Sequence, residues 1–305
     1  MLARWAYPAA SALAGLIAPA QAAAEDTGWQ LDPYGRVEAG VVSARASTDD
    51  YEFIYIGDAA YFRGQAGVEF ADEHTSFALE IDRIMVERFE KDRPSTDRDR
   101  FTLTAAHDLN EAWELQLQVR RYDDLVSAEF NNTDATEVAA QIEYEPVRAH
   151  RARFELTWRD REYDDGDGPD GSSTHGHGWK ASTEYRYRMG RYHYISLDLR
   201  AEKIDSNNPV RAFARQAASA SYTHPITGKL RLRPAVTLRR TTFSGRFAPG
   251  GERRKDTYMT PEIEALWWNG GLRVEAEAKY VISSSNDPNR DRKGHRLSLS
   301  VGYAF

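Results

Sequence analysis

Arginine is the residue type whose spacing most invites chemistry in this chain. Arg153, Arg159 and Arg161, then Lys180, Arg186 and Arg188, then Arg200, and then Arg231, Arg233 and Arg239 recur at even intervals within short segments. In extended backbone, where side chains alternate between two faces, each set projects from one side. A guanidinium offers a rigid planar fork that donates paired hydrogen bonds to a carboxylate or phosphate. Glu262, Glu264, Glu275 and Glu277 repeat the same spacing with the opposite sign. Basic and acidic rows facing each other across a cavity set up a transverse field that orders water and orients charged solutes. The same side chains can instead pair across neighbouring strands and fill the space, and the sequence leaves both arrangements open.

A second cluster is His175 and His177, in THGHG, close to Asp164, Asp165, Asp167 and Asp170. A metal site or a catalytic base is the sharp reading, and a solvated acidic loop is the plain one. The plain reading is preferred, because no G-x-S-x-G nucleophile motif accompanies the histidines and no catalytic residue is assigned. The DDGDGPDG run lacks the glutamate and flanking helices of an EF-hand, which leaves His175, His177, Asp165 and Asp167 as weak divalent ligands only. No cofactor is expected. His107, His150 and His224 fall in predicted turns far from this loop.

The 305 residues contain no cysteine, which excludes disulfides, zinc thiolates and thiol catalysis together. A net charge of -7 argues against nucleic acid as a partner. Hydrophobic residues make up 41% of the chain and charged residues 29%, a balance that membrane strands tolerate because only every second residue need be apolar, and no segment beyond the first stretch could span a membrane as a helix. The first stretch, MLARWAYPAASALAGLIAPAQAAAEDTG, has Arg4, an apolar run from about Ala9 to Ala18, and Ala20-Gln21-Ala22 before polar sequence. It reads as a secretory signal over residues 1–22, cleaved after Ala22 or Ala24. With no cysteine at the junction, a lipoprotein anchor is excluded.

The elements that position the charges are strands. From about Trp29 onward the chain alternates with a period of two. In LRVEAEAKYVI, Leu272, Val274, Ala276, Ala278, Tyr280 and Ile282 oppose Arg273, Glu275, Glu277 and Lys279. In RARFELTWRDR, Phe154, Leu156 and Trp158 oppose Arg153, Glu155, Thr157, Arg159 and Arg161. The same pattern runs through WKASTEYRYRM and KLRLRPAVTLRR, where Pro234 predicts a bulge or local break. Fourteen such segments centre near residues 38, 65, 81, 102, 117, 140, 156, 183, 197, 217, 235, 263, 276 and 299, with alternation slipping after Arg83. HDLNEA, RMGR, HPITGK and WNGG read as tight turns, alternating with long polar connections such as FEKDRPSTDRDR and SSSNDPNRDRKGH. Aromatics including Tyr61, Phe77, Trp113, Tyr144, Trp158, Trp179, Tyr222 and Tyr303 gather near predicted strand ends, as interfacial girdles do.

The expected fold is therefore all-β: a transmembrane antiparallel up-and-down β-barrel of about 14 strands, with 12 and 16 as the neighbouring counts. A short periplasmic lead over residues 23–32 precedes a single barrel over residues 33–305. The terminal Leu297-x-Leu299-x-Val301-x-Tyr303-x-Phe305 resembles the closing strand of bacterial outer-membrane barrel proteins. That resemblance implies an outer-membrane location with both termini periplasmic, and assembly by the barrel-assembly machinery reading Leu299, Val301, Tyr303 and Phe305. The run RRKDTYMTPEI followed by YVISSSNDPNRDR is more narrowly similar to the end of surface lipoprotein assembly modifier and polysaccharide-export barrels. In such a membrane the partners are outer-membrane lipid and lipopolysaccharide, whose phosphates the Asp-Gly loop would meet through bound cations.

With the apolar face toward lipid, the arginines and glutamates face the lumen. The expectation is a non-enzymatic, monomeric channel for passive diffusion of small hydrophilic solutes, anionic ones included. Two other classes stay open: a barrel working in export or as a non-conducting scaffold, and a surface enzyme.

Overall fold

The computed structural model describes residues 28–46, 57–90, 96–123, 133–163 and 171–305. The leader and Asp164, Asp165, Asp167 and Asp170 lie outside the described residues. Fourteen strands follow one another: β1 (Gln30–Ala44), β2 (Gly57–Ala71), β3 (Thr75–Arg88), β4 (Thr96–Asn110), β5 (Trp113–Asp123), β6 (Thr133–Val147) and β7 (His150–Tyr163), then β8 (Thr174–Gly190), β9 (His193–Ser206), β10 (Phe213–Pro225), β11 (Leu230–Phe247), β12 (Arg253–Asn269), β13 (Leu272–Ser285) and β14 (Arg292–Ala304). Each pairs antiparallel with its neighbours in sequence, and β1 pairs with β14 to close the barrel. The expected fold class and strand number are thus what the chain adopts, and every expected centre lies inside its own strand.

Alternation explains why these segments are strands. Leu115, Leu117 and Val119 on β5 point outward and are exposed, as are Phe154 and Leu156 on β7 and Leu297, Leu299, Val301 and Tyr303 on β14. From Leu297 to Phe305 this apolar row rises roughly 20 Å at about 3.3 Å per residue and the usual tilt of about 40°, most of the hydrocarbon band of barrels of this kind.

The strands do not stop where that row ends. β8 and β12 have 17 residues and β11 has 18, well beyond the 9–11 that a tilted strand needs to cross a bilayer. Over the extra length the outer face turns polar and the inner face turns apolar in places, although on β12 Arg254 and Asp256 stay buried, paired at 3.1 Å. Arg83 follows Ile81 on the outer face and meets Asp97 at 2.5 Å and Asp99 at 3.4 Å. Ile84 and Val86, on the inner face, pack with Val42 and Ala59 in a small buried cluster. A second inner cluster joins Ile204, Phe213 and Phe243. The apparent slip after Arg83 is therefore an inversion of polarity with unbroken alternation of the backbone. His175 and His177, expected in a loop, likewise belong to β8 and lie exposed on its outer face.

Pro234 produces no bulge. β11 keeps one register against β12 from Leu230–Trp267 to Thr242–Lys255, with Pro234 opposite Ile263. On its other side the pairing with β10 lapses between Ser221–Ala235 and His224–Leu232 and resumes in the same register. That is the local break expected of a residue with no N–H to donate.

The short connections all lie at one end, together with Gln30 and Phe305. Their side chains supply the turn hydrogen bonds: Asp72 accepts from the N–H of His74 at 2.8 Å and of Thr75 at 2.7 Å, and Thr227 accepts from Lys229 and Leu230. Two glycines on β1 and β2 are required by close approach. The Tyr61 ring lies over Gly40 and the Tyr34 ring over Gly67, each where a Cβ would fall within 2.6 Å of the ring.

Candidate functional site

The inner face of the barrel is a charged wall, and a cavity of about 520 Å³ opens within it. Eight cationic side chains line this cavity: Arg98, Arg100, Arg120, Arg159, Lys180, Arg200, Arg215 and Arg239. Only two carboxylates, Glu137 and Glu202, share the lining, beside Tyr122 and small residues such as Ala217, Ser219 and Thr237.

Strand pairing explains the convergence. Glu137 on β6 stands opposite both Arg120 on β5 and Arg159 on β7. Lys180 on β8 stands opposite Glu202 on β9, which in turn faces Arg215 on β10. Ala217 on β10 faces Arg239 on β11, and the Arg239 guanidinium lies over the Tyr258 ring with its carbon 4.2 Å from the centroid. Each inward position on consecutive strands thus adds one member to the wall.

The two lining carboxylates are consumed inside the wall. Arg159 lies 2.8 Å from Glu137 and 2.5 Å from Glu202, and Arg120 reaches Glu137 at 3.2 Å. Arg161 and Arg215 also reach Glu202, at 3.4 and 3.8 Å. The side chains of Glu137, Arg159 and Glu202 are only 4–6% exposed. Other cations find carboxylates just beyond the lining: Lys180 with Glu155 at 2.8 Å, Arg200 with Asp198 at 3.0 Å and Arg100 with Glu80 at 2.9 Å. Arg98 has no carboxylate at ion-pair distance among the described residues; its nearest charged-aromatic contact is the Tyr122 ring, 6.0 Å away. With most carboxylates turned into the wall, the surface offered to the cavity is cationic.

Neither protein-family models nor curated proteins give a match to this sequence. Solved structures do match it in shape. OmpTΔL8, a loop L8 deletion mutant of OmpT, an outer membrane protein of Vibrio cholerae, superposes with a TM-score of 0.57 at 10% identity, covering 91% of this chain and 100% of that one. The outer membrane channel DcaP of Acinetobacter baumannii superposes with a TM-score of 0.55 at 11% identity, covering 92% and 98%. The chain has the fold of the bacterial outer-membrane barrels.

Within that fold the basic residues singled out from the sequence divide into two groups. Arg159, Lys180, Arg200 and Arg239 line the cavity. Arg153, Arg161, Arg186, Arg188, Arg231 and Arg233 do not. Arg153 pairs with Glu143 at 2.7 Å, Arg186 with Glu184 at 2.9 Å, and Arg231 stacks on Trp268 near the short turns. The acidic residues do not form a bare wall. Arg233 bridges Glu262 and Glu264, Lys279 bridges Glu262 at 3.3 Å and Glu277 at 3.0 Å, and Glu275 lies in the same cluster. The sequence reading missed Arg98, Arg100, Arg120 and Arg215. Arg98 and Arg100 fall in a polar run read as loop, whereas Arg120 continues the inward row opposite Leu115, Leu117 and Val119 and was there to be found.

The aromatic belt is partly interior. Trp113 and Tyr144 stack on the outer surface near the short turns, as do Trp29, Phe70 and Phe77. Tyr61 instead points inward, donating to Glu38 at 2.8 Å and packing on the cluster around Ile84. Phe305 hydrogen-bonds through its backbone to Gly35 in both directions, at 2.9 and 3.0 Å, and completes the seam between the first and last strands. Among the described residues no group of histidine and carboxylate side chains is arranged to hold a metal ion.

Proposed function

We propose that this protein is an outer-membrane channel, non-enzymatic, that passes small hydrophilic solutes by passive diffusion and prefers anions. The observation that carries this reading is the cavity inside the closed barrel, walled by eight cationic side chains against two buried carboxylates. A basic wall in a low-dielectric surround lowers the energy of an entering anion and raises that of a cation. The short turns and both termini face the periplasm in this reading, and the charged extensions of the strands rise into the lipopolysaccharide headgroups outside. Phe305 and the apolar row before it serve the barrel-assembly machinery.

The cross-strand ion pairs favour one rival, a barrel whose lumen is stapled shut and which acts as a scaffold or an export component. Single-channel conductance of the refolded mature protein in a planar bilayer separates the two, with reversal potentials measured under a potassium chloride gradient. Stable steps with anion preference are expected, and Arg200→Glu lowers that preference. A folded, heat-modifiable barrel that never conducts overturns the channel reading.

A further inference from the structure

We infer that the cavity is a saturable binding site for a small organic anion carrying two or more phosphate or carboxylate groups, so that the channel selects its solute rather than sieving by size. This inference rests on the channel reading for its transport consequence, but the binding it asserts stands on the geometry alone.

Three observations carry it. The first is volume: about 520 Å³ is within the range of roughly 300–1,000 Å³ typical of small-molecule sites, and far more than a chloride ion needs. The second is donor chemistry. The cations are guanidiniums with one exception, and a guanidinium fork matches the two oxygens of a carboxylate or phosphate, whereas a monatomic anion takes only a point charge. The third is the layout. Arg98 and Arg100 come from β4, and Arg200 and Arg239 come from β9 and β11, five and seven strands away in the closed ring of fourteen, so donors reach the cavity from opposite arcs of the wall, while Arg120, Arg159 and Lys180 on the strands between are engaged with Glu137 and Glu155. The carboxylate between those arcs, Glu137, is buried against Arg120 and Arg159. An anion with a single charged group satisfies one arc and leaves the other solvated. One with two groups separated by a short linker satisfies both.

The neutral part of the solute is hydrophilic. Apart from Tyr122 and Ala217, the lining contains no apolar side chain, while Ser219 and Thr237 add hydroxyls that suit a sugar or a hydroxy acid. A phosphorylated sugar and a hydroxylated tricarboxylate share this chemistry, and the test below separates them.

The test uses the full mature barrel with two readouts. Pyrophosphate, citrate and sulfate are titrated against chloride current through single channels, and against the same protein in detergent by calorimetry. Saturable block and binding by pyrophosphate or citrate are expected at concentrations about tenfold or more below those of sulfate, weakening as salt is raised. Preference for pyrophosphate assigns phosphate groups, and preference for citrate assigns carboxylates. Arg98→Gln and Arg200→Gln each weaken the block, whereas Arg98→Lys, which keeps the charge but loses the fork, restores only part of it. Anion-selective current with no saturable block overturns the inference and leaves the channel standing. Calorimetric binding by a barrel that never conducts keeps the site and overturns the channel.

Discussion

At the scale of single residues, Arg159 decides whether the wall is a wall. It sits between Glu137 and Glu202, all three side chains nearly buried, and it neutralises both carboxylates. Removing one member of a buried charge network leaves its partners desolvated and uncompensated, which costs about 3–5 kcal/mol when nothing else takes over. Here Arg120 still reaches Glu137, and Arg161 and Arg215 still reach Glu202, so the lower end of that range applies. Arg159→Met is therefore expected to destabilise the barrel by about 3 kcal/mol in urea unfolding from liposomes, and Glu137→Gln in the same chain to recover part of the loss. A loss below about 1 kcal/mol for the single change means that lumen water solvates these carboxylates and that the network is not buried. The site was only partly legible in the sequence: Arg98 and Arg100 lie in a polar run that reads as loop, whereas at Arg120 and Arg121 the phase of the alternation decides. Two consecutive arginines necessarily take opposite faces of a strand, so one lines the cavity while the other pairs on the outer surface with Asp134 at 2.7 Å. Composition sees two equal charges, and only the phase of the alternation separates them.

At the scale of the strand, what was legible is the apolar row and what was not is its length. The row at Leu115, Leu117 and Val119 announces β5, but the strand continues through Arg121 to Asp123, beyond the last outward apolar residue, just as β4 begins at Thr96 inside the polar run FEKDRPSTDRDR. The reason is that a strand is held by its ladder of backbone hydrogen bonds, which is indifferent to which face is apolar, whereas sequence periodicity reports only which face meets lipid. Above the bilayer the outer face meets water and headgroups, so charges move out and Ile84, Val86, Ile204 and Phe213 move in. A position on the outer face therefore has a cost for charge that depends on its height. Leu117, 53% exposed in the middle of the apolar row of β5, is expected to tolerate arginine poorly, at about 2–4 kcal/mol. Thr136, on the outer face of β6 opposite Arg121, is expected to accept it for about 0–1 kcal/mol. Unfolding of the two variants from the same liposomes measures both, and equal costs contradict the placement of the band's edge between Val119 and Arg121.

At the scale of the whole molecule, closure is the property that no single strand contains. Thirteen hairpin-like neighbours are tied by chain connection, but the contact of β1 with β14 joins the two ends of the chain and carries the full loop-closure entropy of the barrel. Its pairing is also short. β1 pairs with β2 from Gln30–Ala71 to Ala44–Gly57, whereas against β14 it pairs from Arg36–Ala304 to Ala44–Arg296. The seam is extended by the last residue, since the Phe305 backbone both donates to and accepts from Gly35, and its ring covers the bare face of that glycine. An open sheet of this kind leaves two edges whose N–H and C=O groups have no partners in hydrocarbon, so closure and stability are a single event. Deleting Phe305 removes two seam hydrogen bonds and exposes Gly35 without altering any lumen charge. The deleted chain is expected to fold more slowly into liposomes and to show amide exchange along Arg36–Ala44 earlier than along β6 or β7, in excess of the intact protein. If β1 and β14 exchange no faster than the central strands after the deletion, the seam is not the weak point, and the terminal aromatic acts only before the barrel has formed.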